Sequence, residues 1–163
     1  MTNIEVIKAK IIDSKQLPKQ MSQWRANHEK VVFTNGCFDI IHIGHLINLS
    51  KSADLGSKLI VGLNTDASVK RLKGSNRPIN KEYDRAMILA GFRFVDAVVL
   101  FNSDTPYELI KEVNPHIITK GGDYKSKDVV GYDIVAQNGG EVVIIDIVDG
   151  FSSTSIIEKG SLT

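Results

Sequence analysis

The sequence predicts an α/β protein: one doubly wound parallel sheet of five strands, with short helices at the N-terminus. Three observations predict it. Five apolar runs recur along the 163 residues, and each is continuous rather than alternating, as in strands covered on both faces. Segments of helical spacing separate the runs, so consecutive strands must run parallel through helical crossovers. The polar, glycine-rich stretches follow the carboxyl ends of the predicted strands, where open parallel sheets bind ligands.

The elements follow in order. Residues 1–29 are polar and amphipathic, with Leu17, Met21 and Trp24 spaced four and three apart after Asp13-Ser14. That spacing predicts one or two short helices packed on the main domain, residues 30–163. Val31-Val32-Phe33 is a buried strand, and residues 43–55 form a helix that stops at Gly56. A second strand covers 59–63, a helix covers 66–72, and Lys73-Gly74-Ser75-Asn76-Arg77-Pro78 is a loop. A helix over 81–92 leads to a third strand at 97–100. Pro106 opens a short helix to residue 113. A fourth strand at 116–119, a helix over 129–138 ending at Gly139-Gly140, and a fifth strand at 142–145 follow. A last helix begins within 152–157.

Composition narrows the function. Lys plus Arg total 20 and Asp plus Glu total 19, so the overall field is weak and predicts neither nucleic acid nor anionic membrane as partner. Any anion site must come from local clustering. Cys37 is the only cysteine, which excludes an internal disulfide and reads as a small buried residue. No apolar run reaches the ~18 residues of a membrane helix, and none at the start suits a signal peptide. A cytoplasmic protein is the expectation.

The turn after the first strand carries the sharpest motif, Thr34-Asn35-Gly36-Cys37-Phe38-Asp39 running into His42-Ile43-Gly44-His45. Histidines three apart at a helix start project to one side. The helix N-terminus adds free N–H groups and a positive dipole end, a cradle for polyphosphate. Gly44 leaves room for close approach. Cys37, Asp39, His42 and His45 could instead ligate a metal, but the helix start and the glycines fit phosphate better. After the fifth strand comes Asp149-Gly150-Phe151-Ser152-Ser153-Thr154-Ser155, of which Gly150 to Ser155 stand at the start of the last helix. Alone it reads as a simple N-cap; across the rim from the histidines it is a second anion site. Asn64-Thr65-Asp66 follows the second strand on the same rim. The basic run Lys70, Arg71, Lys73 and Arg77, shaped by Gly74 and Pro78, reads as a mobile loop closing over phosphates. Arg85 either faces the same pocket or pairs with Glu82 or Asp84. Lys120-Gly121-Gly122-Asp123 sets a cation beside flexible glycines, where backbone can pass close to a base or ribose. The G-x-G-x-x-G, G-x-x-x-x-G-K-[ST] and G-x-S-x-G patterns are absent, which disfavours a dehydrogenase, a P-loop kinase and a serine hydrolase.

Asn35-Gly36-Cys37-Phe38-Asp39 with His42-Ile43-Gly44-His45 and Ser152-Ser153-Thr154 resembles the cytidylyltransferase-like nucleotidyltransferase superfamily. Residues 31–45, Arg71-Leu72-Lys73-Gly74 with Arg77-Pro78, Lys120-Gly121-Gly122-Asp123-Tyr124 and Asn138-Gly139-Gly140-Glu141-Val142 are similar to the heptose 1-phosphate adenylyltransferase branch. That branch also occurs as the C-terminal half of a bifunctional kinase–adenylyltransferase, and this chain resembles the stand-alone form. The likeness covers about residues 31–157. It implies a Rossmann-like fold and transfer of AMP from ATP to a sugar 1-phosphate, with Mg²⁺ bridging the phosphates, for ADP-heptose and lipopolysaccharide precursor synthesis. It implies that His42 and His45 donate to phosphate oxygens, while Lys73, Arg77 and Lys120 neutralise phosphates. Thr34, Gly36 and Phe38 would present backbone to the nucleotide or acceptor, and Asp39 would orient the acceptor or a metal-bound water. Ser153 and Thr154 would hold the pyrophosphate end. Asn35, Gly44, Asp66, Gly121, Gly122, Asp123 and Ser152 complete the expected binding set. Several superfamily members carry an arginine soon after the serine–threonine motif; here Ile156, Ile157 and Glu158 precede Lys159, so if that arginine helps hold the triphosphate, Lys159 or the basic loop must substitute. The H-I-G-H string also marks class I aminoacyl-tRNA synthetases, but no Lys-Met-Ser-Lys-Ser segment accompanies it. Glycerol 3-phosphate cytidylyltransferase, a non-catalytic nucleotide sensor and a metal-binding regulator are the alternatives. The N-terminal helices offer an interface for a homodimer or higher homo-oligomer.

Overall fold

Each apolar run becomes a strand, and one further strand joins them. The computed structural model describes residues 1–147 and 150–161, which leaves Asp149 outside the described residues. The chain begins with α1 (Asn3–Ala9), β1 (Ile11–Ile12), α2 (Leu17–Ala26), β2 (Val31–Gly36), α3 (Ile43–Ala53) and β3 (Lys58–Asn64). It continues with α4 (Asp66–Lys73), α5 (Glu82–Gly91), β4 (Ala97–Phe101), α6 (Tyr107–Val113) and β5 (Ile117–Gly121). A 3-10 turn (Ser126–Asp128), α7 (Tyr132–Gln137), β6 (Glu141–Ile145) and α8 (Ser153–Gly160) complete it. No helix among the described residues is long and apolar enough to cross a membrane.

The sheet has six strands in the order β1-β4-β3-β2-β5-β6, not the five expected, and every pairing is parallel. The additional strand lies in the N-terminal stretch read as helical. Ile11 and Ile12 pair with Val98 and Val99 at the sheet edge. Two residues have no periodicity to read, so tertiary pairing alone makes this strand. Leu17, Met21 and Trp24 are buried on α2, as their spacing predicts. The helix expected over 129–138 is shorter, Tyr132–Gln137: Gly131 at φ 88° caps its start, and a Cβ there would stand 2.8 Å from the Ile110 and Ile118 side chains.

Apolar side chains leave both faces of the sheet. On one face Val31, Phe33, Ile60, Val99 and Ile118 pack with Leu17 and Met21 of α2, Ile110 of α6 and Val135 of α7. On the other Val32, Leu59, Val61 and Val98 pack with Leu49 of α3 and Ala86 and Leu89 of α5. Burial on both faces explains why the strand runs are continuously apolar.

The chain winds outward from β2 to β4, then crosses to β5 and β6 on the other side, placing the switch point between β2 and β5. The β2–β3 ladder runs the full length from Val31 to Gly36, whereas β2 pairs with β5 only at Val32 and Phe33. The carboxyl halves of β2 and β5 therefore part. Thr34 spans the gap by donating to the Thr119 carbonyl at 3.3 Å. Beyond it opens the crevice where open α/β sheets bind ligands.

Candidate active site

The N-terminus of α3 enters this crevice and is capped by histidine. His42 has extended backbone (φ −138°, ψ 174°), and its Nδ1 accepts from the Gly44 N–H at 3.1 Å. His45 Nδ1 accepts from the His42 N–H at 3.4 Å. With both Nδ1 atoms used as acceptors, each neutral ring carries its proton on Nε2. The rings stack with centroids 3.9 Å apart, and the Phe38 ring meets His45 edge-on at 5.1 Å. Burial lowers the pKa of His42, and burial together with His42 and Lys73 lowers that of His45 to about 4. Near neutral pH the pair is thus two uncharged rings offering Nε2–H donors. A titration of the His45 ring followed by NMR should show a midpoint near 4 instead of the ordinary 6.5. The linkage sign follows. A folded pKa below the unfolded one gives stability present above about 6.5 and lost as pH falls through 4. Unfolding free energy should therefore decline over that window more in the wild type than in His45→Gln; equal declines would contradict the assignment.

The loop after β2 is held by its own carboxylate. Asp39 is 2 % exposed. Its Oδ1 accepts from the Ile79 and Asn80 N–H groups at 2.8 and 2.9 Å, and its Oδ2 from Arg77 Nε at 2.6 Å. Asn80 Nδ2 also donates to the Asp39 carbonyl at 2.7 Å. Burial disfavours the charged form of Asp39, but these amides and the guanidinium outweigh it and hold the pKa below the usual carboxylate value. The structure thus gives Asp39 and Arg77 a task that sequence reasoning did not assign, pinning the basic loop to the β2 turn. The loop is also fastened near α4, where Arg71 donates to Asp104 at 2.9 Å and to the Asn102 carbonyl. Its free stretch is short.

Arg85 is the second tie. It is fully buried, on the same stripe of α5 as Ala86, Leu89 and Ala90. Nη1 donates to the Cys37 and Asn64 carbonyls at 2.6 and 2.9 Å, and Nε to the Asn80 carbonyl at 3.0 Å. Nη2 pairs with Asp66 at 2.8 Å, and Glu82 instead accepts from the Asp66 N–H at 2.7 Å. Neither partner expected for Arg85 is the real one, and Asp66, expected to bind ligand, serves the scaffold. A long cation at an apolar-stripe position was the available signal.

The remaining residues converge on a cleft with two lobes. The first, about 400 Å³, is lined by Asn35, Gly36, Phe38, Asp39, Arg77 and Lys120, with Thr105 and Pro106 from the turn after β4, which no sequence motif marked. The second, about 310 Å³, is lined by His42, Gly44, Asn48, Gly121, Phe151, Ser152 and Thr154. His45, Lys73 and Ser153 line both lobes. Thr34 lines the strip between them with Gly36 and Gly121. Ser152 caps α8 by accepting from the Ser155 N–H at 3.0 Å, and Ser153 donates to the Ile40 carbonyl at 2.8 Å, which ties the second anion site to the first. Lys120 lies 5.3 Å from the Tyr124 ring centroid. Asp66, Gly122 and Asp123 stand outside the lining of both lobes. Among the described residues no group of three or more His, Cys, Asp or Glu side chains could hold a metal ion. Cys37 is half-buried, and burial raises its thiol pKa, the reverse of an activated nucleophile.

Comparison with known proteins agrees with this geometry. A family model described as cytidylyltransferase-like matches residues 33–159. The bifunctional protein HldE of a Nitratiruptor species is 59% identical over 131 residues, 80% of this chain and 28% of that protein. The protein of the same name from Campylobacter jejuni (serotype O:2) is 58% identical over 135 residues, 83% of this chain and 28% of that one. The chain thus spans less than a third of these curated relatives. The crystal structure of a lipopolysaccharide core biosynthesis protein from Thermoplasma volcanium superposes with a TM-score of 0.60 at 32% identity, covering 74% of this chain and 97% of that one.

Proposed function

The chain belongs to the cytidylyltransferase-like family of nucleotidyltransferases, and from that premise we propose that it transfers AMP from ATP to a heptose 1-phosphate, releasing pyrophosphate and an ADP-heptose. The observation that carries the reading is the stacked, neutral histidine pair at the junction of two lobes, with Lys73 and Ser153 beside it. Two anionic substrates can meet there. The identity to HldE proteins and the stretches similar to heptose 1-phosphate adenylyltransferase support the choice of nucleotide and acceptor.

A phosphate oxygen of the sugar attacks the α-phosphorus in line. The new bond joins that oxygen to the α-phosphorus, and the bond to the bridging oxygen breaks as pyrophosphate leaves. The acceptor phosphate is already a nucleophile, so no side chain need form a covalent intermediate. The Nε2–H donors of His42 and His45 stabilise charge on the α-phosphate and the leaving group. Lys73, which lines both lobes, follows the charge as it shifts toward pyrophosphate. The start of α8, with Ser153 and Thr154, holds the β- and γ-phosphates. Arg77 and Lys120 take the acceptor phosphate in the first lobe. Asp39 and Asp66 are committed to Arg77 and Arg85, which leaves Asp146 in the second lobe to help hold Mg²⁺, and a bound Mg²⁺ would neutralise the triphosphate. The product serves lipopolysaccharide precursor synthesis in the cytoplasm.

The test is pyrophosphate release from ATP, CTP or GTP, each with heptose 1-phosphate (both anomers) or glycerol 3-phosphate. Turnover confined to ATP with a heptose 1-phosphate is the expected result. CTP with glycerol 3-phosphate as the active pair would overturn the substrates and keep the chemistry. Nucleotide binding without any turnover would make the protein a sensor.

A further inference from the structure

Asn48 follows His45 by three residues, as His45 follows His42, so all three side chains lie along one side of α3. Its amide takes part in none of the side-chain hydrogen bonds found among the described residues, and it lines both the second lobe and the strip toward Thr34 and Lys120. The end of β5 is shaped around it: a Cβ on Gly121 would stand 2.4 Å from Asn48 Nδ2. The amide therefore lies close against the end of β5, at the mouth of the switch point, with a donor and an acceptor uncommitted.

The rest of the lobe indicates what would meet it. Phosphates occupy the starts of α3 and α8, so the nucleoside must extend into the remaining space. Two apolar side chains border that space, Ile147 at 61 % and Phe151 at 46 % exposure, and they offer flat cover to a base. Away from the two helix starts the lobe also carries Asp146, which can only accept when ionised, and Lys73, which can only donate. Building on the nucleotide transfer proposed above, we infer that Asn48 reads the edge of the base and selects a 6-amino over a 6-oxo purine. The amide oxygen accepts from the exocyclic 6-amino group and the amide N–H donates to N7, the bidentate match of asparagine to adenine. A 6-oxo purine presents acceptors at both positions, so neither orientation of the amide pairs with both.

Binding of ATP and of inosine triphosphate to the whole chain, without acceptor, tests this by calorimetry. Wild type should prefer ATP by about 10- to 100-fold. Asn48→Leu should bring the two affinities within about threefold of each other while keeping the wild-type Tm. Asn48→Asp, close in shape but lacking the N–H donors, should also lose most of the preference. An unchanged ratio in both variants, or no preference in wild type, overturns the inference while leaving AMP transfer intact. Absence of any nucleotide binding by wild type sinks the transferase reading beneath it.

Discussion

Replacing His45 by alanine lowers kcat by about 10²- to 10³-fold, the usual cost of removing one donor aimed at developing charge. The imidazole lies where the two lobes join, its Nδ1 is occupied by the His42 amide, and its Nε2–H is the only polar group left to meet phosphate. The ring is neutral, so its contribution is a directed hydrogen bond in a partly desolvated site rather than a diffuse charge. KM for ATP should rise much less than kcat falls, because the donor serves charge that grows in the transition state. His42→Ala should lose activity to a similar degree and also destabilise the fold by about 1 kcal/mol, since His42 caps α3 through its Nδ1. Steady-state kinetics and thermal unfolding of the two variants separate these effects. Near-normal turnover in both would remove the histidines from the chemistry.

Arg85→Met unfolds more easily, by ~3 kcal/mol, a drop in Tm of about 6–12 °C for a chain of this size. The side chain is fully buried and serves three carbonyls and one carboxylate. Methionine fills much of the volume but leaves those acceptors without a donor. Asp66 is about a third exposed, so solvent softens the loss of the ion pair and keeps the cost at the lower end for a broken buried pair. Arg85→Lys should recover only part, because one ammonium cannot span the Cys37, Asn64, Asn80 and Asp66 acceptors at once. The same substitution loosens the turn after β2 and the basic loop together. Activity near the growth temperature should therefore fall more than the unfolded fraction accounts for. Thermal unfolding of the two variants, alongside turnover well below Tm, checks both statements. Wild-type stability in Arg85→Met would contradict the role.

What could be read from sequence was what local spacing encodes. Strands near β2, β3, β4, β5 and β6 announced themselves because burial on both faces demands unbroken apolar runs. The placement of the histidine pair at the start of α3 was legible because His42, Gly44 and His45 lie within one helical turn. Ile11–Ile12 was missed because a two-residue edge strand has no period, and Gly131 delays the start of α7 for a packing reason visible only against Ile110 and Ile118. Contacts over long separations were not legible. Asp39 meets Arg77 across 38 positions and Arg85 reaches the Cys37 carbonyl across 48, so the fastening of the turn after β2 shows only in the fold. Asn48 was overlooked because nothing in its neighbours distinguishes it from a solvated helix residue until the end of β5 is laid beside it.

The most direct measurement follows the α-phosphorus itself. ATP labelled with ³²P at the α position is incubated with Mg²⁺, a heptose 1-phosphate and the protein, and the products are separated. All transferred label should appear in the sugar nucleotide, with one pyrophosphate formed for each. Label remaining in ATP, released as AMP or retained covalently on the protein would contradict direct transfer between the two substrates.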